Sequence, residues 1–194
     1  MRSWRASRKL ASIATELPPP YEPLPDFAAA TGLRPEEWIA LERKHVDRRA
    51  SAVNVTQTVS EGEVTPLAKT TRSRRQVPLS RRACAALDRL PARLDTPLLF
   101  PAPGGGLLDL PNFRRRLWNP AITSSGVVKP ARIYDLRSTF ASNALAAGVT
   151  VFELARVMGT SVLMIERHYG ALLDGAGAEI ASAPITRGGA IADG

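Results

Sequence analysis

A mostly helical α+β domain, with a small antiparallel β-sheet inserted near its start, is the fold class that three observations predict. A run of apolar residues at 3.6-residue spacing, punctuated by cap residues, fills the second half of the chain. An early stretch, "SAVNVTQTV", alternates and is rich in valine and threonine, which suits a strand. Hydrophobic residues make up 44% of the 194-residue chain, enough for one domain with its own core.

Taken in order, residues 1–25 read as a basic, helix-compatible piece followed by a breaker, "LPPPYEPLP". Its three consecutive prolines predict a stiff extended connector. "DFAAATGLRPEEWIALERKHVD" then reads as two helical pieces joined at Thr31–Gly32. Pro35 suits the first position of the second helix, and Glu36 and Glu37 suit its positive N-terminal end. Trp38, Ile39 and Leu41 give that segment an apolar side.

After the strand-like "SAVNVTQTV", the residues "EGEV" predict a turn and "RRQVPL" a second short strand, with the polar, basic "PLAKTTRSRR" as a hairpin or loop between them. Ser80 is placed to cap a helix running to about Leu90. "LLFP" reads as a short buried run and "APGGG" as a turn. "LPNFRRRLWNPAI" predicts a basic helix with Phe113 and Leu117 facing inward. "DLRSTFASNALAAG" predicts a helix capped by Asp135 and ended by Gly148. Thr150 and Glu153 have capping-box spacing at the head of "TVFELARVMG", which ends at Gly159. In "GTSVLMIERHYGAL", Val162, Ile165 and Tyr169 fall on one helical face, so spacing alone makes Tyr169 a core residue. Residues 26–173 thus form the domain, and the small-residue stretch 174–194 reads as a flexible tail. The sequence contains no internal repeat.

Composition narrows the function. Lysine and arginine number 26 against 18 acidic residues, a net charge of +8 that points to a polyanion such as nucleic acid. An ordinary soluble surface is the alternative. With Cys84 as the single cysteine, the sequence has no internal disulfide framework or multi-cysteine zinc site, and His45 and His168 are too few for a metal cluster. No cofactor or metal is therefore expected. The chain contains no apolar run of bilayer length and no signal-peptide core, so no membrane role and a cytoplasmic setting are expected. Aromatic residues are only 6%, which disfavours a single-strand binder built on stacking.

Two arginines stand at helix N-termini, where the backbone is already positive: Arg34 directly before Pro35, and Arg137 in the first turn after Asp135. Such a placement makes sense if each arginine joins free N–H groups in holding an anion, since guanidinium matches phosphate bidentately. The alternative is that both are solvated or ion-paired, Arg34 with Glu37 for instance. Lys69 lies in the basic "AKTTRSRR" segment, where a lysine also serves simply to solubilise an edge. Arg72, Arg74 and Arg75 beside it, with Arg114, Arg115 and Arg116, are candidates for contacts to the phosphates of a duplex.

The order of four segments is more specific. "TGLRPEEWIAL", "AKTTRSRRQVPL", "YDLRSTFASNALAAGV" and "MGTSVLMIERHYG" together resemble the tyrosine recombinase (phage integrase) family, from about Asp26 to Leu173. The resemblance implies the catalytic-domain fold of that family and site-specific DNA recombination through a 3′-phosphotyrosine link. It matches Arg34 to the first catalytic arginine, Glu37 to the acidic residue of that box, Lys69 to the hairpin lysine, Arg137 to the second arginine and Tyr169 to the nucleophile. Only this comparison moves Tyr169 from core residue to nucleophile. The implied partners are double-stranded DNA carrying a specific attachment site and further copies of the chain in a tetrameric synapse, within the cytoplasm at the nucleoid.

The sequence departs from the family pattern at three positions. Tyr134 stands where the His-x-x-Arg box begins, Ser138 replaces a downstream histidine, and Thr160 occupies a position usually held by histidine or tryptophan. Tyr134 and "MGTSV" resemble an actinobacterial variant of the family. Tyr134 is a poor proton acceptor at neutral pH and Thr160 offers one hydroxyl, so both are assigned to orienting the phosphate. His168, adjacent to Tyr169 on the helix, is expected to face elsewhere. Little precedes Asp26, so the helical core-binding domain of the family is expected to be absent, with weak and salt-sensitive DNA binding as the consequence. Two other readings stay open: a catalytically impaired DNA-binding remnant of an integrase, and an unrelated basic helical module that binds RNA.

Overall fold

The computed structural model describes residues 3–67, 74–127 and 131–173. Helix α1 (Ser3–Thr15) and helix α2 (Leu24–Thr31) lead into a short helix α3 (Pro35–Ile39). Five strands follow: β1 (Val46–Asp47), β2 (Ala52–Val55), β3 (Gln57–Ser60), β4 (Glu63–Pro66) and β5 (Arg75–Pro78). The rest is helical: α4 (Arg81–Asp88), α5 (Leu110–Phe113), α6 (Asn119–Ser124), α7 (Asp135–Ala146), α8 (Val151–Met158) and α9 (Val162–Leu173). The α+β class is as the sequence predicts.

The strands form two antiparallel ribbons. One has the order β1-β2-β5, with Val53 opposite Val77. The other pairs β3 with β4, and its tip is Glu61–Gly62, both at positive φ, which gives a two-residue hairpin the twist it needs. The segment "EGEV" is therefore half turn and half strand, and "SAVNVTQTV" splits at Thr56 into strands belonging to different ribbons.

The proline-rich stretch does not extend as a connector. It folds into consecutive turns, with Tyr21 N–H donating to the Pro18 carbonyl at 2.8 Å and Leu24 N–H to the Tyr21 carbonyl at 3.0 Å. Local turn bonds and burial override the extended preference of proline here. Tyr21 packs edge-on against Phe113, and its hydroxyl donates to the Pro101 carbonyl at 2.6 Å. Leu10, Ile13 and Leu17 are buried in the same cluster, so from Leu10 onward residues 1–25 are part of the main core.

That core gathers Phe27, Trp38, Phe100, Val53, Val77 and Trp118, all nearly inaccessible. Each such side chain stabilises the fold by about 1.5–3 kcal/mol through burial. A second, smaller cluster holds Ala141, Leu154, Ala155, Met158 and Ile165, joining α7, α8 and α9.

Most caps fall where the sequence places them. Ser80 accepts from Ala83 N–H, Thr150 and Glu153 form their capping box, and Gly159 ends α8 in the left-handed conformation. Two expectations are corrected. The N-cap position of α7 is held by Tyr134, whose side chain makes no cap bond, and the Asp135 carboxylate turns back to accept from Arg132 N–H at 2.8 Å. Between α5 and α6 the helix widens to a π-type turn over Arg114–Trp118. The extra residue in that turn buries Trp118 with Phe113, while Leu117 packs against the same core and is only partly buried. Among the described residues, no helix is long and apolar enough to cross a membrane.

Candidate active site

Helix α8 ends at Gly159, and the carbonyls of its last turn have no partner within the helix. Three successive ones each receive an arginine from a different part of the chain. The Val157 carbonyl accepts from Arg75 Nε at 2.7 Å, the Met158 carbonyl from Arg137 Nη2 at 2.7 Å, and the Gly159 carbonyl from Arg34 Nη2 at 2.7 Å. The negative end of the helix dipole favours cations at this position. Strand β5, helix α7 and the start of α3 are thereby tied to one helix terminus.

Glu37 is the counter-ion. Arg75 grips its carboxylate with both η nitrogens, at 2.9 Å and 2.8 Å, and Arg34 adds Nη1 at 2.8 Å and its own backbone N–H at 2.8 Å. Burial by itself would raise the carboxyl pKa, but the arginine hydrogen bonds and charges outweigh it and hold Glu37 below its ordinary value. Three guanidinium groups against one carboxylate leave the cluster formally in excess of positive charge. Burial, and then the Arg34 charge, lower the Arg137 pKa from its ordinary value.

Arg137 is 4% exposed. Its Nη1 donates to the Gly32 carbonyl, at the turn between α2 and α3. Gly32 has φ of +64°, and a Cβ there would lie 2.3 Å from the Phe140 ring, so the close approach of this turn to α7 needs glycine. Arg34 and Arg137 each commit two N–H bonds to carbonyl or carboxylate oxygens of the protein through their η nitrogens. A guanidinium has five N–H donors, so each retains capacity for an incoming anion.

Arg137 forms part of a cleft of about 370 Å³ whose wall also includes Tyr134, Ser138, Thr160, His168 and Tyr169. Tyr169 reconciles the two readings of its spacing: its ring packs against the small cluster of α7, α8 and α9, while its hydroxyl reaches the cleft. That hydroxyl donates to Ser138 Oγ at 3.3 Å, long for an O–H···O bond. Tyr134 is half exposed. His168 is a correction, since it lines the same cleft as Tyr169 with the two rings 6.3 Å apart. Neighbours on a helix point apart, yet a wide cleft along the helix edge admits both. Arg132 also lines the cleft, ion-paired to Asp135 at 3.0 Å, and the sequence reading missed it.

Lys69 and Arg72 lie outside the described residues. Arg74 is exposed and donates to the Leu67 carbonyl at 3.1 Å. Arg114, Arg115 and Arg116 are exposed on the π-type turn. Arg75 contradicts its expected part as a phosphate contact, because its side chain is 4% exposed and locked on Glu37. The signal was present: alternation along β5 puts Arg75 on the same inward face as Val77.

The α+β domain thus places a buried guanidinium, that of Arg137, in the same cleft as a half-buried phenol, that of Tyr169. The chain belongs to the Phage integrase family, whose model matches residues 11–174. Solved structures of similar fold include the Tn1549 transposon integrase in complex with circular intermediate DNA, at 22% identity and a TM-score of 0.68 over 84% of this chain and 59% of that one. XerA recombinase is 20% identical with a TM-score of 0.69, over 90% of this chain and 60% of that one. The catalytic domain of bacteriophage HP1 integrase is 19% identical with a TM-score of 0.58, over 97% of this chain and 96% of that one. This chain thus spans about three-fifths of the first two and nearly all of the third. No curated protein matches the sequence.

Proposed function

We propose that this chain is the catalytic domain of a tyrosine-type site-specific recombinase, which cleaves and rejoins duplex DNA at a specific attachment site. The single observation that carries this reading is the shared position of Arg137, which sits beside Arg34 on the last carbonyls of α8 and lines one cleft with Tyr169. The Tyr169 oxygen attacks the scissile phosphorus and loses its proton. The bond from phosphorus to the 5′-oxygen breaks, leaving a 3′-phosphotyrosine and a 5′-hydroxyl that has gained a proton. Because the phosphodiester is exchanged rather than hydrolysed, the reverse attack by a 5′-hydroxyl rejoins a strand without a nucleotide cofactor.

Arg34 and Arg137 stabilise the charge that develops on the non-bridging oxygens, a task worth roughly 10²–10³ in rate per lost donor in other enzymes. By family resemblance Lys69 supplies the proton to the leaving oxygen. Tyr134 and Thr160 hydrogen-bond the phosphate from the cleft wall, and Ser138 holds the attacking hydroxyl. The exposed Arg74 and Arg114–Arg116 contribute phosphate contacts that position the duplex. The Tn1549 integrase structure contains circular intermediate DNA, which supports a duplex partner. A tetrameric synapse on the attachment site, and a cytoplasmic, nucleoid-associated setting, belong to the same proposal. The substitutions at Tyr134, Ser138 and Thr160 favour a second reading, a DNA-binding remnant that no longer cleaves.

The test is covalent capture on a pool of nicked duplexes with randomised cores. Wild type forms a denaturant-resistant protein–DNA adduct, Tyr169→Phe forms none, and both bind duplex DNA alike. Binding without any wild-type adduct would establish the remnant instead.

A further inference from the structure

We infer that Arg75 is a positioning residue of this site, setting through Glu37 where the Arg34 guanidinium stands. The inference rests on the recombinase reading above. The Arg75 side chain is buried and holds three fixed points at once: both oxygens of Glu37 and the Val157 carbonyl one residue before the Arg137 anchor. Glu37 in turn bonds the Arg34 side chain and backbone. A carboxylate has about four acceptor positions, and these four bonds fill them.

Without Arg75, two acceptors of a buried carboxylate stand empty. The nearest fork able to fill them is Arg34, which now gives Glu37 only Nη1 and gives Nη2 to Gly159. Arg34 would close bidentately on Glu37, leave Gly159 and present fewer donors to a phosphate. Arg75 thus saturates Glu37 and keeps Arg34 turned outward. A buried pair of this kind is often neutral for stability compared with apolar packing, so geometry is the better account of its presence.

The test compares the full chain with Arg75→Met, Arg75→Lys, Arg34→Ala and the double variant Arg34→Ala/Arg75→Met. Adduct formation is measured on nicked duplexes whose scissile group is a phosphate or a neutral methylphosphonate. Arg75→Met is expected to slow adduct formation about 100-fold on phosphate, the scale of one lost anion donor. On methylphosphonate, which has no second anionic oxygen to neutralise, the deficit is expected to shrink to less than about tenfold, as it should for Arg34→Ala. The double variant is expected to be no slower than Arg34→Ala alone. Arg75→Lys keeps the charge but not the fork and should recover only part of the rate. Equal deficits on both substrates, or multiplicative losses in the double variant, would overturn the inference and leave Arg75 a folding residue.

A wild type without adduct would sink the recombinase reading rather than this one. Titration of inorganic phosphate against the same proteins then decides it. Equal, non-additive weakening by Arg34→Ala and Arg75→Met supports the coupling, and independent or absent effects refute it.

Discussion

The two walls of the site are held in different ways. On the arginine wall, two buried guanidinium groups and a partly exposed third bond to consecutive carbonyls and a saturated carboxylate, with these bonds between 2.7 and 2.9 Å. On the tyrosine wall, α9 rests on a small apolar cluster, and the phenol has one bond of 3.3 Å to Ser138. Phe152 and Leu163 near that wall are largely exposed. The arginine cluster is rigidly held, while the Tyr169 phenol is placed by modest packing and is the easier part to move. An enzyme that must attack at one moment and release at another gains from that asymmetry.

The largest expected effect falls on the rigid wall. Arg137→Ala leaves the Gly32 and Met158 carbonyls without their buried donor, at roughly 1–3 kcal/mol each. Urea denaturation should show that loss, together with abolished adduct formation. A stability change below about 1 kcal/mol would break the contrast between the walls. Gly32→Ala should cost about 2–3 kcal/mol, because the new methyl meets Phe140 in a strained backbone conformation. Adding Phe140→Leu should return part of that loss, and strict additivity in the double-mutant cycle would contradict the close approach.

A smaller effect concerns pH. His45 is buried, accepts from Glu42 N–H at 3.0 Å, and has its pKa lowered chiefly by burial. Such a base stabilises the fold above its unfolded value, about 6.5, and loses that contribution as pH falls through the lower folded value. His45→Gln should therefore flatten the decline in Tm between about pH 7 and about pH 5. The smallest change is expected on the yielding wall. Thr150→Ala removes the cap of α8 and should lower stability by about 1 kcal/mol, with little effect on DNA binding.

Much of this was legible in the sequence where local chemistry decides the outcome. Pro35, Ser80, Thr150 and Gly159 mark helix ends because caps are properties of a few adjacent residues. The ordered boxes point to Arg34, Arg137 and Tyr169; the fold ties Arg34 and Arg137 to adjacent carbonyls at the end of α8 and sets Arg137 and Tyr169 along one cleft. Features that depend on distant partners were not legible. Alternation along β5 puts Arg75 on the inward face with Val77, but nothing local names its partner, the Glu37 carboxylate, while Arg74 faces solvent. The π-type turn that buries Trp118 more deeply than Leu117 is set by packing against the core, and the turns at Pro18–Leu24 by the docking of Tyr21. His168 shows that a helical wheel misjudges a residue at the rim of a wide cleft.

The most direct measurement is peptide mapping by mass spectrometry of the wild-type protein trapped on a nicked duplex. Two phenols line the cleft, Tyr169 packed at its wall and Tyr134 half exposed at its edge. The account predicts a 3′-phosphate ester on Tyr169 alone, lost in Tyr169→Phe and kept in Tyr134→Phe. Attachment at Tyr134, or at any other residue, would contradict it.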